Sequence, residues 1–118
     1  NALAAAVSVR HLDLFPGWDV LGNVRARAAQ LQRRLAEVGR LDPVGEVRTC
    51  GLMAGVELSP PADGMRWGRR VCAAAVERGV LLRPLGDVIV LMPILTSTAE
   101  EIDRIVDVLV EAIEWSCR

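Results

Sequence analysis

The sequence predicts an α+β domain: a small, mainly antiparallel sheet covered on one face by helices. Three observations carry that prediction. The 118 residues are 52% hydrophobic, enough for one packed core and too short for a multi-domain enzyme. Segments near residues 19–38 and 98–115 repeat apolar residues at the helical period. Between them lie four short strand-like segments, separated by turn residues and by one more helical stretch.

In chain order, Asn1 to Leu14 is read as a helix, because Ala2, Ala4, Ala5 and Ala6 are strong helix formers and no charge precedes Arg10. Such an apolar helix is normally buried or packed on something larger. Phe15-Pro16-Gly17 is expected to break it. Asp19 then opens a second helix to about Val38, with Leu21, Val24, Ala28, Leu31, Leu35 and Val38 on one face. Gly39 is read as its left-handed C-cap.

Val44 to Thr49 and Leu52 to Leu58 are read as strands around Cys50-Gly51, and Gly55 marks a bulge or a close backbone approach. After the loop Ser59 to Gly64, a third helix runs from about Met65 to Arg78, with Trp67, Val71, Cys72, Ala75 and Val76 inward and Gly79 as its stop. Val80 to Arg83 and Val88 to Met92 are the remaining strands, joined by a tight turn at Pro84-Leu85-Gly86-Asp87. Thr98 and Glu101 have capping-box spacing, and Ile102, Ile105, Val106, Leu109 and Ile113 continue the last helix to about Trp115.

Composition excludes several classes of function. A net charge of −1 leaves no electrostatic footprint for nucleic acid or anionic lipid. The longest apolar run, Val88 to Leu95, contains a proline and falls far short of the roughly 20 residues a membrane span needs. Cys50, Cys72 and Cys117 are odd in number and far apart, which suggests neither a disulfide framework nor a zinc site and points to a reducing cytoplasm. There is no Lys and no Tyr, and His11 is the only His. The chain therefore cannot supply a Schiff-base nucleophile or a multi-histidine metal site, and a catalytic triad with a well-placed base is equally out of reach. No catalytic, cofactor-binding or metal-ligating residue is assigned.

Arg83 is the one residue singled out. It follows the apolar Val80-Leu81-Leu82, lies against Pro84, and offers a planar fork for a carboxylate where a strand leaves the core. The plain alternative is a surface arginine paired with Asp87. A lone helical His11 is read as structural or solvated. Met53 and Met92 are read as core filler, and Arg66, Arg69 and Arg70 as a solvated face.

The ordered segments Glu46-Val47-Arg48, Gly51 to Leu58, Arg78 to Pro93 and Thr98 to Ile113 resemble the C-terminal small domain of class III aminotransferases. These are pyridoxal-phosphate enzymes of fold type I. The opening Asn1 to Ala6 is similar to the helix after that family's Gly-Asn-Pro-Leu-Ala stretch, although Ala2 stands where the family has proline. Arg83 to Pro93 matches the pattern R-P-x-G-x-x-x-x-L-M-P of the biotin-pathway branch, whereas ornithine-type members carry an arginine at the position of Val90. Ile94 replaces the family's second proline.

The resemblance implies residues 1–17 as a helix linking to a large domain and residues 18–118 as the small domain. It implies that Arg83 binds the carboxylate of a keto-acid substrate, 8-amino-7-oxononanoate, on its way to 7,8-diaminononanoate. Pyridoxal 5′-phosphate would be bound mainly by the large domain, upstream of Asn1, in a homodimeric parent enzyme. The 118-residue chain alone would be inactive. Two alternatives stand beside this reading: another class III omega-aminotransferase, and a non-catalytic α+β interaction or regulatory module derived from such a domain.

Overall fold

The computed structural model describes residues 1–117, which form four helices and four strands in the order α-α-β-β-α-β-β-α. Helix α1 (Ala2–Gly17) starts at Asn1, whose side-chain oxygen accepts from the amides of Leu3 at 3.0 Å and Ala4 at 3.2 Å. It runs through Pro16 instead of ending at Leu14. Proline removes only the bond that its own nitrogen would make, and the Trp18 amide resumes the ladder by donating to the Leu14 carbonyl at 3.0 Å. No residue of α1 is buried, and only Leu14 and Phe15 are half-buried.

Helix α2 (Val20–Val38) buries Val20, Leu31, Leu35 and Val38. Gly39 was expected to be left-handed, but it is right-handed at φ −63°. The chain tightens there, with Arg40 donating to Glu37 and Leu41 to Val38, so the orphan carbonyls find partners without a left-handed residue.

Strands β1 (Val44–Cys50) and β2 (Met53–Leu58) form one antiparallel hairpin. Strands β3 (Arg83–Leu85) and β4 (Val88–Leu91) form a second. Pairing of β2 with β4 closes a wholly antiparallel sheet of order β1-β2-β4-β3. Each hairpin turns on two residues, and the first of them is a glycine at positive φ: Gly51 at 58° and Gly86 at 63°. Pro84 and Leu85 therefore belong to the strand, not to the turn. The bulge lies between Val44 and Glu46, not at Gly55, where a Cβ would sit 3.3 Å from the Val88 side chain.

Val80 to Leu82 form no strand, although Val80 and Leu82 are buried and Leu81 is 88% exposed in the strand manner. Continuing the register from Arg83 and Val90 would set Leu81 and Val80 against Met92 and Pro93, beyond the end of β4 at Leu91, so the ladder stops short of them.

Helix α3 (Trp67–Glu77) buries Trp67, Gly68, Val71, Cys72, Ala74 and Ala75. Val76 points outward and is 53% exposed, because the face set by residues 67, 71, 74 and 75 turns position 76 away. Gly79, at φ 81°, ends the helix, and the Val80 amide reaches back to the Ala75 carbonyl at 3.0 Å. Helix α4 (Ala99–Ser116) begins with the complete Thr98–Glu101 capping box.

Alternation sends Ala54, Val56, Leu58, Ile89 and Leu91 to one face of the sheet, where they pack with Leu31, Leu35, Val71, Ile102, Val106, Leu109 and Ile113. Each fully buried aliphatic side chain there contributes about 1.5–3 kcal/mol of transfer free energy. The opposite face carries no helix-packed row and is the open face. No described helix is long and apolar enough to cross a membrane.

Candidate functional site

The register of the sheet assembles the open face from residues far apart in sequence. Arg83 pairs with Val90, Val90 with Gly55, and Gly55 with Arg48, so these four form one row across all four strands. The next row on the same face is Leu85, Val88, Glu57 and Glu46. At the usual strand spacing the two arginines stand roughly 14 Å apart.

Their electrostatic situations differ. The Arg48 guanidinium donates to Glu57 at 2.8 Å and also to Glu46. Those two hydrogen bonds, Glu57 first, raise its pKa above the ordinary arginine value. Glu46, Arg48 and Glu57 are thus a self-compensated cluster. Arg83 is exposed and has no ion-pair or hydrogen-bond partner among the described residues. Its neighbours by register are apolar: Val90 directly opposite, Val88 and Met92 diagonally, and Leu81 and Leu85 two residues to either side.

Asp87 does not pair with Arg83. Its Oδ1 accepts from the Gly68 amide at 2.8 Å, at the start of α3. The carboxylate so satisfies a free helix donor and complements the positive end of the helix dipole. Arg66, the residue preceding α3, has φ 54° and no side-chain cap, so the cap comes from the β3–β4 turn. Gly68 is what permits this approach: a Cβ there would lie 2.2 Å from the Gly86 carbonyl oxygen and 3.1 Å from the Asp87 Cα. The hairpin that carries Arg83 is thereby clamped onto α3. Sequence reading missed this clamp, because nothing local marks Gly68 and Asp87 as a pair.

The other sequence candidates take minor places. Arg66 and Arg69 are exposed and line a cleft of about 410 Å³ with Pro84, Gly86 and Asp87. His11 is exposed and meets Phe15 edge to face at 5.3 Å. Met53 and Met92 are both exposed, not core filler, since alternation puts Met53 on the open face with Gly55 and Glu57, and Met92 follows the end of β4 in step with Val88 and Val90. A larger cleft of about 580 Å³ opens at the end of the sheet, lined by Leu81, Met92, Ile94 and Arg104 among others. No group of three metal-ligating side chains occurs among the described residues.

The sequence pattern of the family described as aminotransferase class-III matches residues 1–113. The chain belongs to the class-III aminotransferases. It is 45% identical, over 96% of its length, to adenosylmethionine-8-amino-7-oxononanoate aminotransferase of Geobacter sulfurreducens, of which it covers 26%. It is also 38% identical, over 96% of its length, to acetylornithine aminotransferase of Synechocystis, covering 27% of that protein. Among solved structures, adenosylmethionine-8-amino-7-oxononanoate aminotransferase of Methanocaldococcus jannaschii superposes with a TM-score of 0.90 at 32% identity, over 98% of this chain and 28% of that one. The chain thus spans about a quarter of the length of the relatives it matches. The class-III aminotransferases are pyridoxal-phosphate enzymes, and the residues present here do not fit that cofactor by themselves. The sequence has no lysine to carry it, and the two acids of the open face are already engaged by Arg48.

Proposed function

We propose that this chain is the substrate-carboxylate side of a pyridoxal-phosphate aminotransferase that converts 8-amino-7-oxononanoate to 7,8-diaminononanoate in biotin biosynthesis. Residues 1–17 form the link to a large domain that holds the cofactor, and residues 18–118 form the small domain of a cytoplasmic homodimer. The chain alone is inactive for want of a lysine. The observation that carries the reading is the unpaired Arg83 guanidinium on the open face, its position fixed by the Asp87–Gly68 clamp. A bidentate fork with no internal counter-ion binds a carboxylate strongly and with defined orientation. The names of the relatives at 45% and 32% identity support the substrate. Against an acetylornithine-type role stands the uncharged Val90, directly across the ladder from Arg83.

The test is Arg83→Ala in the full-length enzyme. A charge-assisted contact is worth about 1.5–3 kcal/mol, so kcat/KM for the keto acid should fall roughly tenfold to a hundredfold, mainly through KM. The amino-donor half-reaction should change little. Arg83→Lys should recover only part of the loss. With the substrate carboxylate replaced by an amide, the wild type should lose affinity and the alanine variant should barely discriminate. Equal discrimination by both proteins would make Arg83 structural.

A further inference from the structure

We propose that the free edge of β1 is an interaction surface for a second copy of this chain, the two β1 strands pairing antiparallel about a twofold axis at Val47. The inference is independent of the role given to Arg83, and it adds to the parent homodimer a contact made by residues 44–50 alone. The two edges of the sheet differ. Strand β3 is three residues long and contains Pro84, whereas β1 has seven residues and no proline.

Register fixes where the free backbone groups of β1 point. The Leu58 amide donates to the Asp87 carbonyl, on the β4 side of β2. Alternation then turns the amides of Met53, Gly55 and Glu57 towards β1, where they face Cys50, Arg48 and Glu46. The N–H and C=O groups of Val47 and Thr49 consequently point away from the sheet, and they have no hydrogen-bond partner among the described residues. With Val47 on the axis, its N–H and C=O meet those of the partner's Val47 and exchange both bonds. The ladder ends where the bulge between Val44 and Glu46 turns the strand aside.

Charge selects this register. Glu46 and Arg48 flank the axis on the open face, so each Glu46 lies directly opposite the partner's Arg48, and the pair occurs twice. Sliding one strand by two residues in either direction sets Glu46 against Glu46 or Arg48 against Arg48. Both side chains are exposed, and the Glu46–Arg48–Glu57 cluster holds two carboxylates to one guanidinium, so Glu46 gains from a second arginine. One strand from each copy makes a small interface, so the association is weak and reversible.

The test uses the 118-residue chain from about 10 µM to about 1 mM, the range a contact of this size calls for. Sedimentation equilibrium should show the mass rising towards a dimer. In step, the Val47 amide should gain protection from hydrogen exchange, while the Arg48 amide, already facing β2, should not change. Arg48→Glu and Glu46→Arg each oppose like charges twice across the axis, and each should weaken association by roughly tenfold or more. An equimolar mixture of the two variants restores both opposite-charge pairs and should associate within about threefold of the wild type, with thermal melting as the folding control. A rise in mass without protection at Val47 assigns the association to another surface, such as α1, and overturns the proposal. A mixture no tighter than either variant alone, with both melting as the wild type does, overturns it as well, as does a wild type that stays monomeric throughout the range. Where a variant melts early, the concentration dependence at Val47 in the wild type decides alone.

Discussion

Replacing Gly68 by alanine tests the clamp that positions Arg83, and the sign of the effect decides the matter. In an unencumbered helix the change is stabilising by about 0.5–1 kcal/mol, because alanine costs less backbone entropy than glycine. Here the new methyl would lie 2.2 Å from the Gly86 carbonyl oxygen, a backbone atom that no rotamer change can move aside. The β3–β4 turn has to retreat by roughly 1 Å to restore van der Waals separation. Such overpacking costs about 1–3 kcal/mol. The retreat also stretches the 2.8 Å bond from the Gly68 amide to Asp87, losing about 1 kcal/mol of charge-assisted capping. Setting the helix gain against both losses leaves a net destabilisation of about 1–3 kcal/mol. Urea unfolding of the 118-residue chain reads it directly, since Trp67 is buried next to the substituted position and its fluorescence reports on the clamp. A Gly68→Ala variant as stable as the wild type, or more stable, would show that the turn does not bear on the helix as described.

Deleting residues 1–17 should leave the free energy of unfolding within about 0.5 kcal/mol of the intact chain and reduce concentration-dependent association, because no residue of α1 is fully buried while Leu3, Val7, Val9 and Leu12 are exposed. Analytical ultracentrifugation and unfolding of the two chains would check both halves of that expectation. Burial pushes the Cys72 thiol up to about 11 from 9.0, and Cys117 upward as well. The folded state then holds protons that the unfolded state has released, so stability is level below pH 9 and falls as the pH rises from 9 towards 11. With no Lys or Tyr to titrate in that window, Cys72→Ala should remove much of the slope in unfolding experiments across it, and an unchanged slope would refute the assignment.

What could be read from sequence divides according to how local the physics is. Helix α4 was legible to its first residue because the Thr98–Glu101 box and the 3.6-residue stripe are both written within a few positions. The sheet's covered face was legible for the same reason, from alternation inside β2 and β4. Val80 to Leu82 misled because their burial alternates as a strand's does, while a strand also needs a partner, and Pro93 takes that partner away. Gly39 misled because a C-terminus can satisfy its carbonyls by tightening as well as by turning left-handed. Arg83 was visible as a fork beside a proline, but its freedom was not. That freedom depends on where Asp87 goes, four positions on, and Asp87 is drawn to an amide 19 residues earlier in the chain. Gly68 opens the approach, Asp87 caps the helix, and the acid that could have neutralised Arg83 is consumed in holding its strand in place. The same contact that positions the guanidinium leaves its charge available, so a substitution at Gly68 or Asp87 should disturb carboxylate binding without touching the ligand.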